Sequence, residues 1–412
     1  MIDDAYTDIS RCRVCKSNRL YEFLNLGDIP AVNGFRNRQD EEQTTYPLEV
    51  VVCRECGHVQ LKNTVDRSLL FGEYMYFSSS SSPLIEHFGA YADTVDDVLV
   101  DPEGLLVEVG CNDGLLLRQF PDSYQKVGIE PAENVARVAR KEHGLDVRTE
   151  FFDAGGAASV RDQHGPAAAV LANNVVGHVD DLHGFVEGVE TLLADNGIFI
   201  MEVPYLIDLI NHVEFDTIYH EHISYFAIRP LIRLVEQFGL EIYDVERLDI
   251  HGGSIRAYVQ RSNGPRERQE IVDDLVALEE AVGLNNRERF DEFARLVSQR
   301  RDHLTTLLNR LGEEGMSIVG YGAPAKGNVL LNYCDIGPET LDYVIDTTPQ
   351  KQGTYAPGTG LPVRPTEAFR EDAPDYALLL AWNYREAILE KERAYRDNGG
   401  RFIIPQPYVD VV

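Results

Sequence analysis

Twice in this chain a short apolar strand runs into a glycine turn that opens a helix, and this repeated unit restricts the fold more than any other feature. The first instance is L-L-V-E-V-G-C-N-D-G at residues 105–114, the second S-I-V-G-Y-G-A-P-A-K-G at 317–327. Around the first, the stretches Y-Q-K-V-G-I-E, A-A-A-V-L-A-N-N and G-I-F-I-M-E-V-P alternate with helical sequence, the pattern of a parallel, doubly wound sheet. Around the second, L-D-Y-V-I-D and Y-A-L-L-L-A-W predict a smaller sheet of the same kind. Three blocks follow: residues 1–72 with two cysteine pairs, 73–240 with the first α/β unit, and 241–412 with the second. The last block is read as opening on a strand pair (E-I-Y-D-V-E-R-L and S-I-R-A-Y-V-Q-R) before a helical run from Pro265 to Leu311.

The chain is strongly acidic. Its formal charge is -30, from 68 acidic and 38 basic residues, only 7 of them lysine. The acids are spread along the whole length, so no basic stripe exists to neutralise phosphates and a nucleic-acid partner is not expected. Such a surface suits a halophilic cytoplasm. No apolar run reaches the length of a bilayer span, and the start, M-I-D-D-A-Y, has no signal-like region. A soluble, cytoplasmic monomer with no membrane partner is the expectation.

Four of the six cysteines form Cys12-x-x-Cys15 and Cys53-x-x-Cys56. Each pair can present two thiolates from one tight turn, and two such turns close a tetrahedral zinc site with no open position for catalysis. Reduced structural cysteines or disulfides are the alternatives; without a secretion signal, structural Zn2+ is favoured. Cys111 and Cys334 read as buried thiols.

The first glycine loop, Glu108 to Gly114, lets the backbone approach a ligand at a helix start, with Gly110, Asn112, Asp113 and Gly114 around it. The next strand ends in Glu130, where a carboxylate can accept both ribose hydroxyls. A third glycine in the dinucleotide spacing is absent, which suits a methyl donor without a pyrophosphate. Phe151 and Phe152 can sandwich adenine or be core residues, Asn173 ends the fourth strand, and Tyr76 and Ser78 lie in a segment that can cover the donor's carboxylate end.

The segment F-D-T-I-Y-H-E-H-I-S-Y-F, residues 215–226, is the richest cluster of acid–base groups. Carbon methylation needs a base for a proton alpha to a carbonyl and a donor for the enolate oxygen. Imidazole, with an ordinary pKa of about 6.5, suits the first task and tyrosine the second, with glutamate orienting the ring. A metal held by His220-x-His222, or purely structural hydrogen bonding, are the competing readings.

Taken together, the double C-x-x-C, E-V-G-C-N-D-G, N-N-V-V-G-H-V-D-D, Y-H-E-H, H-G-G-S-I-R and G-Y-G-A-P-A-K-G-N resemble the three-domain S-adenosylmethionine-dependent sugar C-methyltransferases, across nearly the whole chain. The resemblance implies a class I methyltransferase Rossmann-like domain flanked by a small N-terminal zinc-binding domain and a C-terminal Rossmann-like α/β domain. It implies S-adenosyl-L-methionine at Gly110, Asn112, Asp113 and Glu130. It implies zinc at Cys12, Cys15, Cys53 and Cys56, and a reaction centre of His178, Tyr219, Glu221 and His222. His222 is the first choice of base and Tyr219 the alternative, with His178 polarising the ketone. The implied substrate is a nucleotide-linked 4-keto-deoxysugar methylated at C3. Its nucleotide is expected on the third domain, at Gly322 and Lys326 with Asp346 and Lys351, and at the turn of His251, Ser254 and Arg256. N-N-V-V-G-H departs from the family's aromatic-containing form of that loop at Val176 and Gly177, which leaves the sugar open. A non-catalytic zinc- and nucleotide-binding protein is the alternative function; an oxidoreductase is disfavoured because G-Y-G-A-P-A-K lacks a third glycine.

Overall fold

The computed structural model describes residues 5–71, 77–80, 82–99, 101, 103–250 and 252–412. Tyr76 and His251 therefore lie outside the described residues.

The middle of the molecule is a seven-stranded sheet. Its spatial order is Leu240–Leu248, Ser254–Arg261, Leu193–Pro204, Ala167–Asn173, Leu105–Val109, Gln125–Ile129, Asp146–Arg148. The five strands up to Pro204 run parallel, and Ser254–Arg261 is antiparallel to both its neighbours. Leu105–Val109 is buried along its whole length because both faces are covered. Side chains alternate between two cores: Leu105, Val107, Phe199 and Met201 face one, Leu106, Leu171, Ile198 and Ile200 the other. The carboxyl ends of these strands therefore share one edge, where ligands of such sheets bind.

The strand pair read as the start of the third block belongs to this sheet. Residues 240–261 supply its last two strands, with Phe199 opposite Val259 and Glu202 opposite Arg256. Alternation in the sequence marks a strand but does not say which sheet it joins.

The C-terminal sheet has six strands in the order Val363–Arg364, Val344–Ile345, Ile318–Tyr321, Tyr376–Leu379, Arg401–Ile404, Asp410–Val411, parallel except for the last. It is the second doubly wound unit. Two helices, Glu270–Ala281 and Arg287–Glu313, precede it. The longer one returns to the N-terminal module, where Phe290 and Phe293 pack on Phe23 with ring centroids 4.9 and 6.3 Å away.

The N-terminal module is a four-stranded antiparallel sheet, and its edge strand is foreign to it. Leu20–Pro30, Thr45–Cys53 and Val59–Leu61 pair in turn, and Val59–Leu61 then pairs with Ser224–Tyr225 from the middle domain. Among the described residues no helix is long and apolar enough to cross a membrane.

Candidate active site

The two cysteine turns are congruent. In each, the N–H four residues after the first cysteine donates to its carbonyl: Lys16 to Cys12 at 2.9 Å, Gly57 to Cys53 at 2.8 Å. The N–H of the first cysteine donates to the carbonyl five residues on, Ser17 and His58, at 2.8 Å in both. Lys16 and Gly57 take positive φ to make the turn. All four sulfurs lie within 4.8 Å of one another, with Cys12 3.6 Å from Cys56 and Cys15 3.5 Å from Cys53. Contact with Cys53 and burial push the Cys12 thiol up to about 12, while contact with Cys12 and Cys56 lowers Cys53. The geometry fits a structural zinc ion. Among the described residues these four are the only group placed for a metal, which leaves the His-x-His reading without support.

The first glycine loop crosses the sheet's carboxyl edge. Gly110 has φ +67, and a Cβ there would stand 2.3 Å from Val175 Cγ2, so glycine is required on both counts. The carboxylate of Glu130 is held by two backbone N–H groups, Asn112 to Oε2 at 3.0 Å and Ala132 to Oε1 at 2.9 Å. Burial raises Glu130 above the usual carboxylate range. Asn112 Oδ1 receives Ser78 N–H at 2.9 Å, and Asp113 Oδ2 receives both the N–H and the hydroxyl of Ser79, so residues 78–79 are fastened to the loop. Glu108 Oε2 and Asp113 Oδ1 are buried without a partner among the described residues, and burial pushes Glu108 well up. Orphaned acceptors with acidic character fit a ligand carrying ammonium and sulfonium charge, as S-adenosylmethionine does. Asn173 ends its strand beside this edge, in register with Glu202. Phe152 packs edge-on to Phe185 at 5.2 Å, whereas Phe151 is exposed beneath Arg67.

The residues expected at the reaction centre come from two segments. The 3-10 turn Val176–His178 carries His178, and the loop after Phe215–Thr217 carries Tyr219 and His222. The rings of His178 and His222 are 4.9 Å apart, edge to face; those of Tyr219 and His222 are 3.9 Å apart, tilted by 33°. His222 Nδ1 lies 2.8 Å from the carbonyl oxygen of Thr217. A carbonyl only accepts, so Nδ1 carries a proton, and in the neutral ring Nε2 is the basic nitrogen. Burial lowers His178 to about 4, which keeps it neutral. Glu221 was expected to orient an imidazole; instead its Oε1 accepts from Asn33 Nδ2 of the N-terminal module at 2.7 Å, and burial raises it to about 7. His220 is an anchor, its buried Nε2 3.2 and 3.3 Å from the carbonyls of Tyr46 and Pro47.

The third domain repeats the donor-site device. Asp346, at the end of its second strand, accepts from Ala323 N–H through Oδ2 and from Thr348 N–H through Oδ1, both at 2.8 Å. This matches Glu130, and Gly322 with φ +90 takes the place of Gly110. Lys351 Nζ donates to Ala323 O at 2.9 Å. Lys326 Nζ sits 4.5 Å from the ring centre of Trp382, and Asp216 and Glu214 attract its charge. Burial raises these carboxyls to about 6 and about 8, and Trp382 Nε1 donates to Asp216 Oδ2 at 2.6 Å. Arg256 is not brought to this domain. It is buried in the middle sheet, bonded to Glu202 at 2.7 Å and Glu246 at 3.1 Å, with the Tyr91 ring centre 3.9 Å away. Ser254 is buried as well, its hydroxyl on Ile250 O. Their strand assignment to the wrong sheet is the reason both were expected near the nucleotide.

Sequence reasoning missed Asn33, Trp382, Arg13 and the pair His87–Glu202, whose Nε2 and Oε2 are 2.8 Å apart. Each meets a partner at least 100 residues away in the chain, so local spacing carried no signal for that contact.

Three family models match the chain in succession, the boundary between the second and third falling before the strand Ser254–Arg261. Residues 12–71 match the family model of a zinc binding domain, 85–245 that of a methyltransferase domain, and 249–407 that of a C-methyltransferase C-terminal domain. The chain is 35% identical to the C-methyltransferase NovU of Streptomyces niveus over 415 residues, which covers 100% of this chain and 99% of that one. Among solved structures it is similar to a SAM-dependent methyltransferase of Anabaena variabilis, at 18% identity and TM-score 0.33 over 41% of this chain and 84% of that one. A protein of Pyrococcus horikoshii has TM-score 0.38 and 14% identity over 48% and 98%. With full-length identity to a C-methyltransferase added to the zinc turns and the donor loop, the chain belongs to the S-adenosylmethionine-dependent C-methyltransferases that carry a zinc-binding domain in front and a C-methyltransferase C-terminal domain behind.

Proposed function

We propose that the protein methylates a carbon alpha to the ketone of a nucleotide-linked 4-keto-deoxysugar, at C3, with His222 as the base. The observation that carries this is the Nδ1 contact of His222 with Thr217 O, which puts a proton on Nδ1 and makes Nε2 the basic nitrogen of the neutral ring, with the rings of Tyr219 and His178 alongside. When bound, S-adenosylmethionine supplies an electrophilic methyl group. Nε2 of His222 takes the alpha proton, and the electron pair of the broken C–H bond moves toward the ketone oxygen. The Tyr219 hydroxyl donates to that oxygen, and neutral His178 helps polarise it. The nucleotide rests on the third domain: the Gly322 turn opens the helix Ala325–Tyr333, Asp346 faces a ribose as Glu130 does, and Lys326 and Lys351 lie beside it.

His222→Ala should keep donor binding by calorimetry and lose methyl transfer by about 10²–10⁴-fold. It should also lose exchange of the acceptor's alpha proton with solvent deuterium. Exchange that persists in His222→Ala and disappears in Tyr219→Phe makes Tyr219 the base. Mass spectrometry of products from a panel of nucleotide-linked 4-keto-sugars tests the substrate class.

A further inference from the structure

Each cysteine turn grips one of the two segments that bring an imidazole to the reaction centre. Arg13 stands between Cys12 and Cys15 and is buried. Its Nε donates to Asp180 Oδ1 at 3.0 Å, and its two terminal nitrogens to Leu61 O at 2.7 Å and Thr64 Oγ1 at 2.6 Å. The carbonyl of Val14, in the same turn, is 2.7 Å from His183 Nε2. Asp180 follows His178 by two residues, and His183 lies in the helix Leu182–Leu192 that continues that loop. The second turn reaches the other segment. His58, two residues past Cys56 and fully buried, has Nε2 3.2 Å from Ser224 Oγ, two residues past His222. Val59–Leu61 then pairs with Ser224–Tyr225, and Leu61 N–H donates to Ile223 O at 2.9 Å.

We propose that the zinc centre is a positioning device for the reaction centre: by locking one cysteine turn onto the other it sets the separation of His178 from His222. Arg13 and His58 are the positioning residues. The physical ground is that each segment is fastened to its own cysteine turn and the two turns share one ion, so the centre braces the backbone bond at which the segments meet, Ile223 N–H to Gly177 O at 2.8 Å. Catalysis is sensitive to such placement, since a displacement of about 1 Å of a reacting group costs on the order of 100-fold in rate. The inference rests on His178 and His222 forming the reaction centre, but its test does not use the reaction.

Hydrogen exchange of the zinc-loaded full chain, followed by mass spectrometry, separates the two grips. Asp180→Ala should speed exchange of residues 176–183 by roughly tenfold and leave 219–226 unchanged. His58→Ala should do the reverse, with Ser224→Ala as a milder version that does not touch the metal turn. Asp180→Glu should restore much of the protection. Chelation of zinc should loosen both segments together, while residues 108–114 and the affinity for S-adenosylhomocysteine stay within threefold. If each variant loosens both segments alike, if the donor loop loosens with them, or if chelation leaves both protected, zinc is a general stabiliser and the proposal fails. Should chelation unfold the whole chain, the single variants still decide. Loss of the segment-specific pattern overturns this inference alone; retained activity in His222→Ala overturns the reaction centre alone.

Discussion

Glu221 shows how a residue's burial, more than its type, decides its chemistry. Burial raises its carboxyl to about 7 and the Asn33 amide opposes the rise. Glu214, raised to about 8, behaves alike, while burial lowers His178 and His220 to about 4 and His58 to about 3. These two classes act on stability with opposite sign. A carboxyl raised in the native state binds its proton more tightly folded than unfolded, so its contribution is full below about 4.3 and is lost as pH rises through 7 to 8. A histidine lowered in the native state is protonated first in the unfolded chain, so stability falls as pH drops below about 6.5. The protein should therefore be most stable near pH 6 to 6.5. Glu221→Gln should flatten the decline between pH 6.5 and 8 by an amount on the order of 1 kcal/mol. Urea unfolding at several pH values measures this, and an unchanged slope would show that Glu221 does not titrate in that window.

Elements were legible where the period was local. The five parallel strands, the helices between them and the second glycine turn follow from apolar runs bounded by glycine and from the residues at the strand ends. Glu130, Asp346, Gly110 and Gly322 stand where that pattern placed them. What failed was partnership: the strands at 240–261 look alike whether they join the middle or the last sheet, and the cross-strand pairing with Leu193–Pro204 decided it. Ser254 and Arg256 moved with them. The donor loop permits a sharp test at this scale. Gly110→Ala places a methyl on Val175 and at a φ that disfavours any side chain, so affinity for S-adenosylhomocysteine should drop tenfold or more. Gly110→Ala with Val175→Ala relieves the clash and leaves the backbone strain, so calorimetry should show only partial recovery. Full recovery would assign the whole effect to the contact with Val175.

At the scale of the whole molecule, the three parts are interleaved as well as consecutive. The zinc-bearing sheet takes its edge strand from residues 224–225, and Val32 O receives Asn328 Nδ2 of the third domain at 2.7 Å. No sequence period reports such exchange, which is why the reaction centre was legible as residues and not as an assembly. Three parts held by polar contacts and a shared apolar core must cohere against a formal charge of -30. Some of the few cations are turned inward: Arg13, Arg256 and Arg300 are buried, so the surface is more acidic than the totals imply. Self-repulsion of this kind opposes compaction and yields to screening, whose range shrinks from about 10 Å at 0.1 M salt to about 3 Å at 1 M. The unfolding temperature should therefore rise by several degrees between 0.1 and 1 M potassium chloride. Screening is nearly complete by then, so a rise that continues to 3 M would mark hydrated ions held by the acidic surface rather than screening alone. A flat response from 0.1 M upward would show that the acids are too dispersed to repel, and that the interleaving of the three parts is sufficient to hold them.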